Sequence, residues 1–247
     1  MAAPLTEAAI ERVRHLIISG RLVPGERLPA EAELSAELGV SRSSLREAVR
    51  GLVTAGVLDV RRGDGTYVTS LTPHLLLTGI QAAVELMQED SILDLIESRR
   101  LIEPGVTALA AVRSSAEQRA EMARHIALMA GASAQKDLIR HDTDFHATVA
   151  RASHNPVLAS VLTGISSGTV RTRVWRGIMD AEANHRTVEE HRAILAAIEA
   201  GDANLAEAAA LVHVASVESW LQTMVASGET EPDEASDPDA DRSLTSV

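Results

Sequence analysis

Only Gly39 and Val40 separate the end of one short helical pattern from the start of the next. A connection that tight makes the two helices cross as a helix-turn-helix. The first runs from about Pro29, a good first-turn residue, through Leu34 to Leu38, with Gly39 where a left-handed backbone is tolerated. The second opens at Ser41, whose hydroxyl can cap free amides, and lines up Leu45, Ala48, Val49, Leu52 and Val53 on one stripe before Gly56. Its other face carries Arg42, Arg46 and Arg50 at four-residue steps, with Ser43 and Ser44 beside them near the N-terminus. Cations and hydroxyls at the start of a second helix are what entry into a DNA major groove requires.

Upstream, Ala9, Val13, Leu16 and Ile17 mark a helix from Leu5 to Gly20, and Pro24-Gly25 reads as a turn. Downstream, Val57 to Val60 alternates like a strand, Arg61 to Gly65 is a glycine-rich turn, and Thr66 to Val68 returns. This hairpin is a wing with Arg61 and Arg62 at its tip. Each arginine cluster alone would also suit an ordinary solvated surface. The two in this order, behind a helix-turn-helix, favour a DNA-binding face. The net charge of −12 does not oppose this, because it is unevenly spread. Residues 227–247 hold seven acidic side chains and one Arg, a composition expected to be disordered, whereas residues 1–72 balance nine Arg against nine acidic groups.

From His74 to Ala226 the pattern is helix after helix, approximately 74–89, 91–112, 115–131, 135–153, 155–179, 184–200 and 202–226, with Pro104 expected to kink the second. Short connections imply an antiparallel bundle. The fold class is therefore mainly α: a winged helix-turn-helix over 1–72, an all-α bundle over 73–226 and an acidic tail. The absence of cysteine suits a reducing cytoplasm, and no apolar run approaches the roughly 20 residues that cross a bilayer. No phosphate loop or nucleophile elbow argues for an enzyme.

The chief chemical constellation is Asp142 and His146, four apart on one helix face, with Asp144 pointing elsewhere. His191 and His213 on later helices could reach the same interior. Three imidazoles and a carboxylate suit zinc, nickel or manganese, although a helical histidine is more often a capping or core-edge residue than a ligand.

The run PGERLPAEAELSAELGVSRSSLREAVRGLVTAGVLDVRRGDGTYV resembles the DNA-binding domain of the GntR family of bacterial regulators. The resemblance implies helix contacts from Arg42, Ser43, Ser44 and Arg46 and wing contacts from Arg62 and Gly63, with Arg50 on the same helix face. The family often has an Arg where this chain has Ala32, which puts the operator sequence in doubt. The segments ESRRLIEPGVTALAA, HDTDFHATVARASHNPVL and EEHRAILAAIEAGDANLAEAAALVH are similar to the FCD ligand-binding domain of the FadR-type branch. Many members carry a D-x-x-x-H pair and two later histidines that bind a metal, a set matched by Asp142, His146, His191 and His213. Acyl-CoA-binding members lack it.

The resemblance implies a homodimeric repressor that reads a short palindrome and is released by a small carboxylate effector, a sugar acid or short hydroxy acid, held at the metal. Zinc is the first choice of ion. Arg99 and Arg173, with Trp175 beside it, are the candidate effector contacts, and surface salt bridges are the plain alternative for each. Two rivals stand beside this reading: a regulator that senses the metal alone, and a metal-dependent enzyme, against which no additional general base is evident near the set.

Overall fold

The computed structural model describes residues 3–76, 84, 92–180 and 182–228, and the chain divides into two compact units, 1–83 and 84–247. In the first unit α1 (Ala3–Ile18), α2 (Glu31–Leu38) and α3 (Arg42–Thr54) precede β1 (Leu58–Arg61), β2 (Gly65–Val68) and a short α4 (Pro73–Leu76). Gly39 ends α2 in the left-handed conformation, φ 62°. Two residues later the Ser41 side chain accepts the Ser44 N–H at 3.1 Å and starts α3. These two local devices set the crossing that lets Leu34, Leu45 and Leu52 meet Val13 and Leu16 of α1 in one core.

The wing is a hairpin with Leu58 opposite Val68 and Arg61 opposite Gly65. A third extended piece was not expected from the sequence. The N–H of Val68 donates to the Glu26 carbonyl at 2.9 Å, and that of Leu28 to the Thr66 carbonyl at 2.8 Å. The chain after the Pro24-Gly25 turn thus pairs with β2 through an Arg27–Tyr67 bridge.

The second unit is a bundle of α5 (Ile92–Arg113), α6 (Ala116–Ala130), α7 (Gln135–Ala152), α8 (Pro156–Ser167), α9 (Val170–Met179), α10 (Ala183–Glu199) and α11 (Ala203–Ser227). Helix α5 packs along α11, α7 and α8, and α6 packs on α7 and α10. One helix continues through Pro104 for 22 residues. The single helix expected over 155–179 is two, broken at Gly168-Thr169. A Cβ at Gly168 would overlap Val84 and Leu95, so the close approach needs glycine there. Most of the helix expected over 74–89, and the tail from residue 229, lie outside the described residues.

The bundle core gathers Met122, Ile126, Phe145, Val149, Ile194 and Ile198. Burial of such side chains is worth roughly 1.5–3 kcal/mol each. That gain lets the same interior carry charges, because Arg99, Glu103, Asp142, His146, Arg173, His191 and His213 are all buried there.

Candidate functional site

On the first unit, the exposed side of α3 presents Arg42, Ser43, Arg46 and Arg50. The Ser41 hydroxyl lies 2.9 Å from both Ser43 Oγ and Ser44 Oγ, so the cap also orders the hydroxyls at the helix start. Arg46 stands 3.8 Å from Glu31 and is 61% exposed; Arg50 pairs with Glu47 at 2.7 Å. Exposed pairs of this kind hold a side chain by about 0–1 kcal/mol, little enough for a phosphate or base edge to replace the acid. In the wing Arg61 lies over the Tyr67 ring, 4.0 Å from its centroid, and the Tyr67 hydroxyl donates to Asp64 at 2.8 Å. Gly63, φ 77°, turns the tip and leaves Arg62 exposed.

Arg27 is the residue that sequence reasoning missed. Its guanidinium lies against Gly65, where a Cβ would overlap it, and it lines one groove of about 670 Å³ with Glu31, Arg46 and Arg50. No local pattern marks it, since it reaches the groove only through pairing with β2. Ala32 is exposed on α2 and brings no charge there.

In the second unit the four residues expected to form a set do converge. His146 Nε2 is 3.2 Å from His191 Nε2, and Asp142 Oδ1 is 3.7 Å from the first and 3.5 Å from the second. His213 completes the group: ligand atoms of His146, His191 and His213 all lie within 4.8 Å of one another. Between two imidazole nitrogens at most one hydrogen bond can form. Asp142 Oδ1 and His213 Nε2 have no hydrogen-bond partner at all despite full burial. Orphaned buried acceptors are costly, and a cation held among the three imidazole nitrogens, with Asp142 Oδ1 beside two of them, would satisfy both.

The surrounding shell fits this. Glu103 Oε1 takes the Nδ1 proton of His146 at 2.6 Å, and Glu190 Oε2 that of His213 at 2.8 Å. A carboxylate behind a ligating imidazole fixes its tautomer and turns Nε2 inward. Glu103 is in turn held by Arg99, at 2.9 Å from Nη2, and Arg99 Nη1 donates to Thr169 Oγ1 at 3.1 Å. The helix break at Gly168-Thr169 therefore serves the site. Arg173 Nη1 donates to Asp142 Oδ2, which leaves Oδ1 facing the histidines.

Charge states follow. Burial pushes the Glu103 and Asp142 carboxyls up, but Arg99 and His146 around the one, and Arg173 and His146 around the other, hold both well below the usual carboxylate range. Burial presses His191 well below its ordinary value, helped by the fields of His213 and His146; it also lowers His213, against Glu190. For His146 burial is outweighed by Glu103 and Asp142, so its pKa rises. The lowered His191 and His213 and the two carboxylates are thus in the forms that ligate a metal, whereas His146 would give up a proton on ligation.

Of the candidate effector contacts, Arg99 and Arg173 are thus brought to the set, each by an acid of the site. Trp175 is not. It packs edge-on to Trp220, 5.0 Å between centroids, in a separate apolar cluster with Ile96 and Val217. Beside the set, Asp142, Arg173, Arg176, Asn184, Thr187 and His213 line a cavity of about 20 Å³, room for a single water.

Comparison with known proteins agrees with both halves. Residues 5–68 match the model of bacterial regulatory proteins of the gntR family, and residues 94–216 match the FCD domain. The chain is 31% identical to the HTH-type transcriptional regulator LutR of Bacillus subtilis, over 83% of this chain and 96% of that protein. It is 32% identical to the galactonate operon transcriptional repressor of Escherichia coli, over 81% and 89%. Among solved structures, a GntR protein of Streptococcus agalactiae superposes with a TM-score of 0.68 at 30% identity, covering 87% of this chain and 99% of that one. These relatives are named as regulators and not as enzymes, and no described helix is long and apolar enough to cross a membrane. The chain belongs to the gntR family of bacterial regulators, in its FCD-containing branch, and is a DNA-binding transcription regulator.

Proposed function

We propose that the helical unit is a metal-anchored acid sensor. Asp142, His146, His191 and His213 would hold one divalent cation, zinc first, with nickel and manganese also suited to the donors. The observation that carries this is the pair of orphaned, fully buried acceptors, Asp142 Oδ1 and His213 Nε2, aimed at two further imidazole nitrogens. A bound cation supplies an open position for a carboxylate. A sugar acid or short hydroxy acid would place its carboxylate there and draw Arg173 and Arg99 as partners for its remaining oxygens. The relative named for a galactonate operon supports the acid class.

The chain acts in this proposal as a homodimeric repressor. Two winged helices meet the half-sites of a palindrome with Arg42, Ser43, Ser44, Arg46 and Arg50 at the major groove and Arg62 and Gly63 at the minor groove. The acid releases DNA only as far as it binds the released state more tightly.

The test is metal content of the purified chain with a thermal-shift screen of sugar and hydroxy acids, on wild type and on His191→Ala. At least one metal per chain as purified, and a ligand shift lost in the variant, is the expected result. No metal, with a shift that survives the substitution, overturns it. The small cavity beside Asp142 favours one second reading, a sensor of the metal alone. That reading requires operator affinity to respond to metal in a gel-shift titration with no acid added.

A further inference from the structure

We propose a second divalent-cation site on the outer face of α7, formed by His125, His141 and Asp144. It does not depend on the inner set. His141 and Asp144 lie three apart on α7, rotated from the Asp142/His146 face, and His125 faces them from α6. The three donor atoms, His125 Nδ1, His141 Nδ1 and Asp144 Oδ2, all fall within 4.8 Å of one another. Their separations are 3.5 Å between the nitrogens and 3.9 and 4.0 Å from each nitrogen to the carboxylate oxygen. A triangle with those sides has its centre about 2.2 Å from every corner, within about 0.2 Å of zinc–nitrogen and zinc–oxygen bond lengths, so a slight contraction seats the ion.

The same distances fit hydrogen bonding poorly. Neither imidazole reaches Asp144 within about 3.2 Å, and at 3.5 Å the two Nδ1 atoms face each other at the far limit of a bond. The donors are also differently exposed, which sets what the site can do. The His125 side chain is 5% exposed and His141 12%, whereas Asp144 is 49% exposed. Two anchored imidazoles and one solvent-facing carboxylate leave the remaining coordination positions open to water. The inner set, by contrast, has all four donors buried.

Ligation through Nδ1 places the imidazole proton on Nε2. At present Arg124 stands 3.3 Å from Nε2 of His125 and Arg140 stands 3.2 Å from Nε2 of His141. A guanidinium only donates, so both must turn outward when the ion binds. Both are exposed on the surface, which makes that turn cheap. Glu121 Oε1, which accepts from Arg151 at 2.9 Å and lies 3.9 Å from His125 Nε2, is a carboxylate that a small side-chain movement would bring behind that imidazole, as Glu103 and Glu190 stand behind the inner set. An ion here clamps α6 to α7 directly behind the helix face that carries Asp142 and His146.

The experiment is zinc bound per full-length chain after dialysis against buffered free zinc, for wild type, His141→Gln, Asp144→Asn, His191→Ala and the His141→Gln/His191→Ala pair, with far-UV circular dichroism on each. The expected counts are two for wild type, one for each single variant and none for the pair. In the His191→Ala background, added zinc should still raise the thermal midpoint, and His141→Gln should abolish that rise. Zinc counts in His141→Gln and Asp144→Asn equal to wild type overturn the outer site. The failures separate. One zinc in wild type, lost in His191→Ala and kept in His141→Gln, removes the outer site and leaves the inner one. One zinc lost in His141→Gln and kept in His191→Ala does the reverse. The exposed Asp144→Asn keeps the test decisive if substitution at His141 disturbs folding.

Discussion

The two units place their candidate arginines in opposite environments. Arg46 of α3 is 61% exposed and lightly held by Glu31, while Arg99 of α5 is 0% exposed and fixed between Glu103 and Thr169. An exposed arginine asks nothing of the fold beyond a rigid helix to stand on. A buried one must be paired, so in the helical unit the candidate site residues also carry the stability of the bundle. The first unit can therefore lose function without unfolding, and the second cannot readily do so.

The sharpest way to break this contrast is Asp142→Ala. It strands the Arg173 guanidinium in the bundle and should cost about 3–5 kcal/mol in urea unfolding. A loss under about 1 kcal/mol would mean that the site is wet and only loosely coupled to the fold. Next in size is metal removal. A cation present at a hundred times its dissociation constant adds about 2.7 kcal/mol, so a chelator should lower the thermal midpoint of wild type further than that of His191→Ala, which keeps only the outer site. An equal fall in both proteins would place the chelator's effect elsewhere.

How far each unit could be read from sequence follows the same division. The helix-turn-helix rests on neighbours: Gly39 in the left-handed conformation and the Ser41 cap on Ser44 are signals within a few residues, and the arginine row on α3 is pure helical spacing. Asp142 and His146 were legible for the same reason, as an i,i+4 pair. His191 and His213 were legible only as histidines on later helices that could reach the same interior, and the family resemblance tied them to the pair. The supporting shell was invisible, because Arg99 meets Thr169 across 70 residues and His213 meets Glu190 across 23. Trp175 shows the converse error. Being two positions from Arg173 on a helix turns its side chain roughly 200° away, into the cluster with Trp220. Arg27 was hidden because Pro24-Gly25 announces a turn but not the strand pairing that follows it.

On the exposed side of the comparison, Arg46→Ala should weaken operator binding by about 1–3 kcal/mol, read in a gel-shift titration at fixed salt. Its stability should stay within about 0.5 kcal/mol of wild type in the same urea experiment that condemns Asp142→Ala. A large loss of stability would show that the Glu31 contact is structural and would blur the contrast between the units.

The smallest effect belongs to Arg27. It shares a groove with Arg46 and Arg50 but sits on the wing side, with its guanidinium against Gly65 and its side chain 59% exposed. A residue there that meets a phosphate and no base edge predicts that Arg27→Ala weakens binding evenly across operator variants and reduces the salt dependence by about one phosphate contact. The Arg46 variant should instead relax the preference at one base position. If Arg27→Ala changes sequence preference, it reads a base, and it then supplies the specificity that Ala32, uncharged on the exposed face of α2, cannot.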